Sequence, residues 1–430
     1  MHPVTSVPVS NQWYADGHFY PIQIAQFALQ HYCKNRTDGP PKVTLVADFD
    51  QKQGEWRIPN DKAFVQRVYD SNRSSYIVTF DITHTQGLEL EVPQGTSGVF
   101  VLTMDVMPKS KNFSFSVSLL EEKTGETYDL HYVNEGELFL FSSSKATYGV
   151  HLPLNSWTQF VRDLHVDVLK GKSAANGKKW KMNKARLRVT KIVFRGKGSL
   201  NLVTLASSQH SAFFFYGADW FMRHQDENGA WGCTVERRLA GGSVLLPPGW
   251  YSAMGQGHAI SVLTRAYHVS GDVKYLEAAQ RALEPFRRDS SGSGVSSDSS
   301  RRGVRAWFLG HLPWYEEYPS DPPSFVLNGF IYSLFGLYDL KDKSSDAKQL
   351  FETGLESLLK LLPLFDTGSG SVYDLRHVSL GIAPNLARWD YHTVHINQLT
   401  HLATIIDAPL LNETAKRWAS YLKGKRASHN

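Results

Sequence analysis

The chain has 430 residues, of which 42% are hydrophobic and 20% charged, a composition that excludes a disordered or fibrous protein. This length exceeds one simple core, so two or three domains are expected. The formal charge of +5 makes the surface mildly basic, and no run approaches the roughly 20 apolar residues of a membrane span.

Residues 1–40 read as an N-terminal helical segment, with a helix over Phe19–Leu29 led by Pro21 near its first turn. Gln23 and Gln26 lie three apart and share a face, which is either a plain polar face or a pair turned toward a glycan. Cys33 and Cys233 are the only cysteines, too few for a stabilising disulfide framework, and their pairing is left open. Asn35, Asn72, Asn112 and Asn412 begin acceptor sequons, which matter in a secretory protein.

Residues 41–205 carry apolar residues at period 2 between turn signals, at 76–82, 87–92, 99–104, 113–117, 137–141, 158–168 and 191–205. Short alternating strands at this spacing predict an antiparallel β-sandwich or barrel. Basic residues concentrate between Lys170 and Lys197, including Lys178 and Lys179. They read as a solvated strand-and-loop face, with attraction of a polyanion as the alternative.

From 206 to 430 the period lengthens to that of a helix, with helices predicted at 209–224, 252–269, 273–287, 324–340, 346–362, 391–406 and 410–424. Joined by Gly- and Pro-containing loops, they predict an α/α toroid, an incomplete α/α barrel whose cleft is built from loops and helix ends. Pro322-Pro323 blocks an earlier start of the fourth helix, and Ser324 is its expected N-cap. The Ser- and Gly-rich stretch from Ser290 to Gly303 reads as a loop, either a passive insertion or a lid.

The chemistry concentrates in the last third, in Tyr315-Glu316-Glu317-Tyr318, Tyr373-Asp374-Leu375-Arg376 and Asn385-Leu386-Ala387-Arg388-Trp389-Asp390-Tyr391-His392. Asp366-Thr367-Gly368 has no twin, as an aspartic protease would require, and reads as a loop closing a helix. His392 and His395 have a metal-compatible spacing but no third ligand nearby, so they read as structural histidines. Glu316, Glu317, Asp374 and Asp390 offer the paired carboxylates of a glycosidase. That chemistry leaves the Tyr and Arg content unexplained. Proton abstraction beside a substrate carboxylate explains it better, because Arg376 and Arg388 would stabilise the developing enolate.

These motifs, together with Gln12-Trp13, Phe19–Gln26, Pro248–Met254 and Ser324–Phe330, resemble the animal D-glucuronyl C5-epimerases of heparan sulfate biosynthesis over nearly the whole chain. The resemblance implies conversion of D-glucuronate to L-iduronate in N-sulfated heparosan, with Glu317, Tyr318, Tyr373 and Tyr391 as the catalytic set. It places Arg238, Asn328, Tyr332, Arg376, Asn385, Arg388, Trp389 and His392 in the substrate cleft, with Gln12, Tyr20, Gln23 and Gln26 as further glycan contacts. It also implies a structural Ca²⁺ held by Asp48, Asp50 and Asn201, all hard oxygen donors, and no organic cofactor. A homodimer in the Golgi lumen, anchored by a membrane helix upstream of this chain, is expected on the same ground. The rival readings are a uronate polysaccharide lyase and a non-catalytic heparan-binding protein.

Overall fold

The computed structural model describes residues 1–430 except 52–53, 59–62, 83–86, 142–144, 177–180, 291–302 and 429–430. It divides into two compact units: residues 1–6 with 33–213, and residues 7–32 with 214–430. The region expected as a loop between Ser290 and Gly303 lies, for 291–302, outside the described residues, as do Lys178 and Lys179.

The first unit is a β-sandwich organised by one long strand, Leu187–Ala206. Its first half pairs with Ser114–Glu121 and Leu88–Glu91. Its second half pairs with Val101–Pro108, Ser75–Ile82 and Val43–Ala47. The strand changes layers at Gly196, where φ is +80° and a Cβ would lie 2.8 Å from the carbonyl oxygen of Asn112. Bent strands that switch sheets form the corners of such packings. Between the layers Phe115 meets Tyr132, Phe160 and Phe194, while Phe80 meets Phe113 and Phe194. Gly196→Ala is expected to cost about 2 kcal/mol through backbone strain and this close approach, measurable by urea unfolding.

The predicted strand 158–168 is corrected to a strand, Thr158–Asp163, followed by a helix, Leu164–Asn176. Asp163 Oδ1 accepts the amide of Val166 at 3.0 Å, so an Asp cap starts the helix where five alternating residues looked extended. Asp167 then turns inward and pairs with buried Arg162 at 2.6 Å. Four members of the basic run pair with acidic side chains, as Lys172–Glu126, Arg188–Glu122, Lys191–Glu89 and Lys197–Asp81. That pairing favours the solvated-face reading.

The second unit is helical, with Ala253–Ser270, Leu327–Leu340, Ser345–Leu361, Trp389–Ile405 and Pro409–Tyr421 as its longer members. No closed barrel forms among the described residues. The first pair crosses closely: a Cβ on Gly336 would meet the Gly257 carbonyl oxygen at 2.1 Å. The predicted helix 273–287 breaks into Val273–Arg281 and Glu284–Arg287. Ser324 is not the N-cap of Leu327–Leu340; Val326 holds that position. The shift follows from the amides of Ser324 and Phe325, which donate to the carboxylate of Glu316 and hold the segment outside the helix. Among the described residues no helix is long and apolar enough to cross a membrane.

Candidate active site

A hairpin of Arg305–Phe308 and Leu312–Tyr315 delivers the acidic pair into the second unit. All of Leu312–Tyr315 is buried, and Trp314 stacks on Phe330 at 3.7 Å, so the chain that follows is firmly placed. Glu316 and Glu317 then have different jobs. Glu316 accepts the amides of Ser324 at 3.2 Å and Phe325 at 2.9 Å, and burial pushes its carboxyl up to about 8 against those donors. It staples a loop.

Glu317 is buried against the start of Leu327–Leu340, where a Cβ on Gly329 would lie 2.5 Å from its Oε2. Only glycine leaves room for the carboxylate there. Burial raises its pKa to about 7, opposed by hydrogen bonds from Tyr318 and Tyr373 and by the charge of Arg237. Asn328 is buried with its Nδ2 3.5 Å from Glu317 Oε2, a distance that orients more than it bonds.

The opposite wall is the extended segment Val372–Asp374, bridged to Val326 on one side and Leu386 on the other. The amide of Tyr373 donates to the Asn385 carbonyl at 2.7 Å, and the amide of Leu327 to the Tyr373 carbonyl at 3.1 Å. Asp374 is fully buried and accepts Arg376 Nε at 2.7 Å and Asn385 Nδ2 at 2.8 Å. It therefore fixes two residues of the wall. Tyr391, in the first turn of Trp389–Ile405, sets its ring edge-on to Tyr373 at 4.9 Å.

The resulting cleft has a volume of about 420 Å³. Tyr318, Tyr373 and Tyr391 line it, and so do Arg376, Arg388 and Asn385, joined by Gln12 and Arg238. Burial raises the pKa of all three tyrosines, with Glu317 adding to the rise, so they stand as neutral phenols that donate protons. Tyr20 is buried, its ring edge-on to Trp13 at 5.2 Å, and Tyr332 packs on His258 at 4.6 Å. Gln23 is half-buried and Gln26 exposed on the helix Pro21–Thr37, and neither is among the residues lining the cleft. Trp389 is 77% exposed and is likewise absent from the lining.

His392 is corrected from cleft residue to buried support. Its Nδ1 meets Ser371 Oγ at 2.8 Å and its Nε2 the Trp418 carbonyl at 3.1 Å, which occupies both nitrogens. The helix turns it inward while its neighbour Tyr391 faces out.

Arg237 is the site residue that the sequence reading missed. It lines the cleft with its guanidinium 4.5 Å from the Trp13 ring and 5.7 Å from that of Tyr318. Its buried Nε has no hydrogen-bond partner among the described residues. Arg238, by contrast, is exposed and bonds Glu236 at 2.8 Å. Strand alternation was the available signal: in Arg237–Leu239 the inward Leu239 shares its face with Arg237, not Arg238.

In the first unit Asp50 Oδ1 accepts the Tyr76 amide at 2.7 Å and Oδ2 the Ser75 hydroxyl at 2.8 Å. These bonds, the backbone one first, hold its carboxyl below the usual range. Asn201 Nδ2 reaches the same hydroxyl at 3.3 Å, and Asp48 Oδ1 accepts the Asp50 amide at 2.9 Å. Asn201 thus turns its NH2 group to this cluster, and among the described residues no group of three or more His, Cys, Asp or Glu side chains gathers there. Cys33 is exposed and Cys233 buried, both as free thiols.

Residues 225–420 match the family described as D-glucuronyl C5-epimerase C-terminus, and residues 74–197 the family described as D-glucuronyl C5-epimerase, beta-sandwich domain. A D-glucuronyl C5-epimerase of Caenorhabditis elegans is 36% identical over 480 residues, spanning 99% of this chain and 76% of that protein. The uncharacterized protein MJ1128 of Methanocaldococcus jannaschii is 31% identical over 159 residues, 36% of this chain and 47% of its own. Among solved structures, a rhamnosidase from Klebsiella oxytoca aligns over 92% of this chain and 81% of its own at 10% identity. Its TM-score of 0.28 is too low to establish a common fold.

Proposed function

The chain belongs to the D-glucuronyl C5-epimerase family and is an epimerase; from that premise we propose that it acts on a polysaccharide and converts D-glucuronate to L-iduronate within N-sulfated heparosan, during heparan sulfate and heparin biosynthesis. Glu317 takes the C5 proton on one face of the uronate ring. The electron pair of the broken C–H bond passes into the carboxylate, giving an enolate with a second negative charge. Arg376, oriented by Asp374, and Arg237 neutralise that charge. Tyr391 returns a proton from the other face, so inverting the centre, and its phenolate regains a proton from solvent between turnovers. Tyr318 and Tyr373 donate hydrogen bonds to Glu317 and pass its proton to solvent between turnovers. The observation that carries this reading is a carboxyl raised to about 7 beside phenols whose own pKa values are higher still: a base and acids separated by environment.

The remaining contacts follow the same reading. Gln12, Tyr20, Gln23, Gln26, Asn385, Arg388 and Trp389 bind flanking sugars. Asp48, Asp50 and Asn201 hold a structural Ca²⁺ in the first unit. The protein acts in the Golgi lumen as a homodimer with a membrane anchor, glycosylated at exposed sequons such as Asn72 and Asn412.

Incubation with N-sulfated heparosan in deuterated water tests the reaction. Deuterium at C5 together with iduronate is the expected result. Unsaturated, ultraviolet-absorbing products would make the protein a lyase, and binding without exchange would leave a glycan-binding protein. Tyr391→Phe should abolish most iduronate formation, and full C5 exchange by that variant would remove Tyr391 from the catalytic set.

A further inference from the structure

The histidine pair singled out by its spacing is not a ligand set, yet it does more than fill the core. Ser371 is 2% exposed, and its hydroxyl meets His392 Nδ1 at 2.8 Å and His395 Nδ1 at 3.0 Å. The direction of each bond follows from the partners. The Trp418 carbonyl can only accept, so Nε2 of His392 carries the hydrogen. The tautomer that donates from Nε2 accepts at Nδ1, here from the Ser371 hydroxyl. The one hydroxyl proton is then spent, so Ser371 Oγ accepts from Nδ1–H of His395. Burial pushes the pKa of His395 down to about 3, which keeps that ring neutral and the chain of donors ordered. The rings of Trp418 and Tyr421 pack against the pair, at 5.7 and 6.4 Å from His392, and close the joint to bulk water.

The position of this joint gives it a consequence. Ser371 lies two residues before Tyr373 on the extended segment, and its own carbonyl accepts the amide of Ala387 at 2.8 Å. His392 directly follows Tyr391, and His395 lies one turn further along the same helix. The hydroxyl therefore ties the strand that carries one tyrosine to the helix that carries the other.

We propose that Ser371 is a positioning residue for the epimerisation: its hydroxyl, held between His392 and His395, sets the separation of the Tyr373 and Tyr391 rings. Tyr391 reprotonates the carbon that Glu317, hydrogen-bonded by Tyr373, has deprotonated, so the two rings need a fixed separation: a misplacement of about 1 Å in a reacting group can cost about a hundredfold in rate. Substrate binding draws on the many other residues of the cleft and depends far less on the joint. The proposal rests on the reading that Tyr373 and Tyr391 both act in the reaction.

The test compares Ser371→Ala with Ser371→Thr, which keeps the hydroxyl, using the full chain. Ser371→Ala is expected to lower kcat at least about tenfold with KM changed less than about twofold. Ser371→Thr should recover most of the loss, and thermal unfolding should show both variants folded at the assay temperature. Wild-type kcat in Ser371→Ala, or no recovery in Ser371→Thr, would overturn the proposal. A second measurement is independent of turnover. In protein carrying ¹³C-labelled tyrosine, the cross-relaxation between the Tyr373 and Tyr391 rings should vanish in Ser371→Ala and return in Ser371→Thr. Its persistence in Ser371→Ala sinks the joint even where catalysis fails, whereas absence of C5 exchange in the wild type with the ring signals behaving as expected sinks only the assigned reaction.

Discussion

Glu317→Gln is expected to lower kcat/KM on N-sulfated heparosan by roughly 10²- to 10⁴-fold, the usual range for loss of a general base. The amide fills the same space against Gly329 and its oxygen still accepts from a facing tyrosine, so the cleft keeps its shape while the proton acceptor is lost. The wild-type profile of kcat/KM should rise with pH through about 7, because the base must be ionised and its carboxyl is raised to that value by burial. A flat profile between pH 5.5 and 8, or a Gln variant with more than about a tenth of wild-type activity, would transfer the role to a tyrosine. The same carboxyl leaves a mark on stability. Its folded pKa lies above the ordinary glutamate value of 4.5, so between about 4.5 and about 7 the folded state holds a proton that the unfolded state has released. The stabilisation is present below that window and is lost as pH rises through it. Thermal unfolding of Glu317→Gln should therefore decline less than wild type from pH 5 to pH 7, and Glu316 extends the wild-type decline toward about 8.

The helices of the second unit were legible because their apolar stripes persist over several turns: expected bounds of 252–269 and 346–362 meet observed helices at Ala253–Ser270 and Ser345–Leu361. The sandwich was harder to read. Phe64–Asp70 exposes Phe64 and Tyr69, so the alternation that marks a half-buried strand is absent from its sequence. Lys145–Gly149 owes its place to a parallel pairing with Thr127–Val133, which no local pattern encodes. In the site, Tyr318, Tyr373 and Tyr391 could be found because they stand in long motifs. Arg237 was missed, since three consecutive polar residues, Glu236-Arg237-Arg238, look alike until the alternation of a short strand assigns them faces. His392 erred in the opposite direction. A run of site residues ended one position too late, where a helix turns its side chain inward. Chemistry-bearing residue types are visible along a chain, but the face each one occupies is decided by elements as short as Arg237–Leu239.

Asp374→Ala is expected to destabilise the protein by about 3–5 kcal/mol, the cost of stripping a buried cation of its partner. The carboxylate is fully buried, and Arg376, whose side chain is 9% exposed, sits 2.5 Å from it. With Asp374 removed, the guanidinium keeps its desolvation cost and loses the attraction that offset it. Asn385 Nδ2 and the amide of Arg376 lose their acceptor as well. For a unit of this size the fall in Tm should be roughly 10 °C. Adding Arg376→Met separates stability from function. A buried ion pair can often be exchanged for apolar side chains at little net cost, so the double variant should regain much of the lost Tm. Its turnover should stay far below wild type, because the proposed neutralisation of the substrate carboxylate has gone with Arg376. Recovery of activity together with Tm would show that Arg376 serves packing alone and would leave Arg237 as the cation facing the enolate. A double variant as unstable as Asp374→Ala would locate the cost in the orphaned donors of Asn385 and the Arg376 backbone, and not in the unpaired charge.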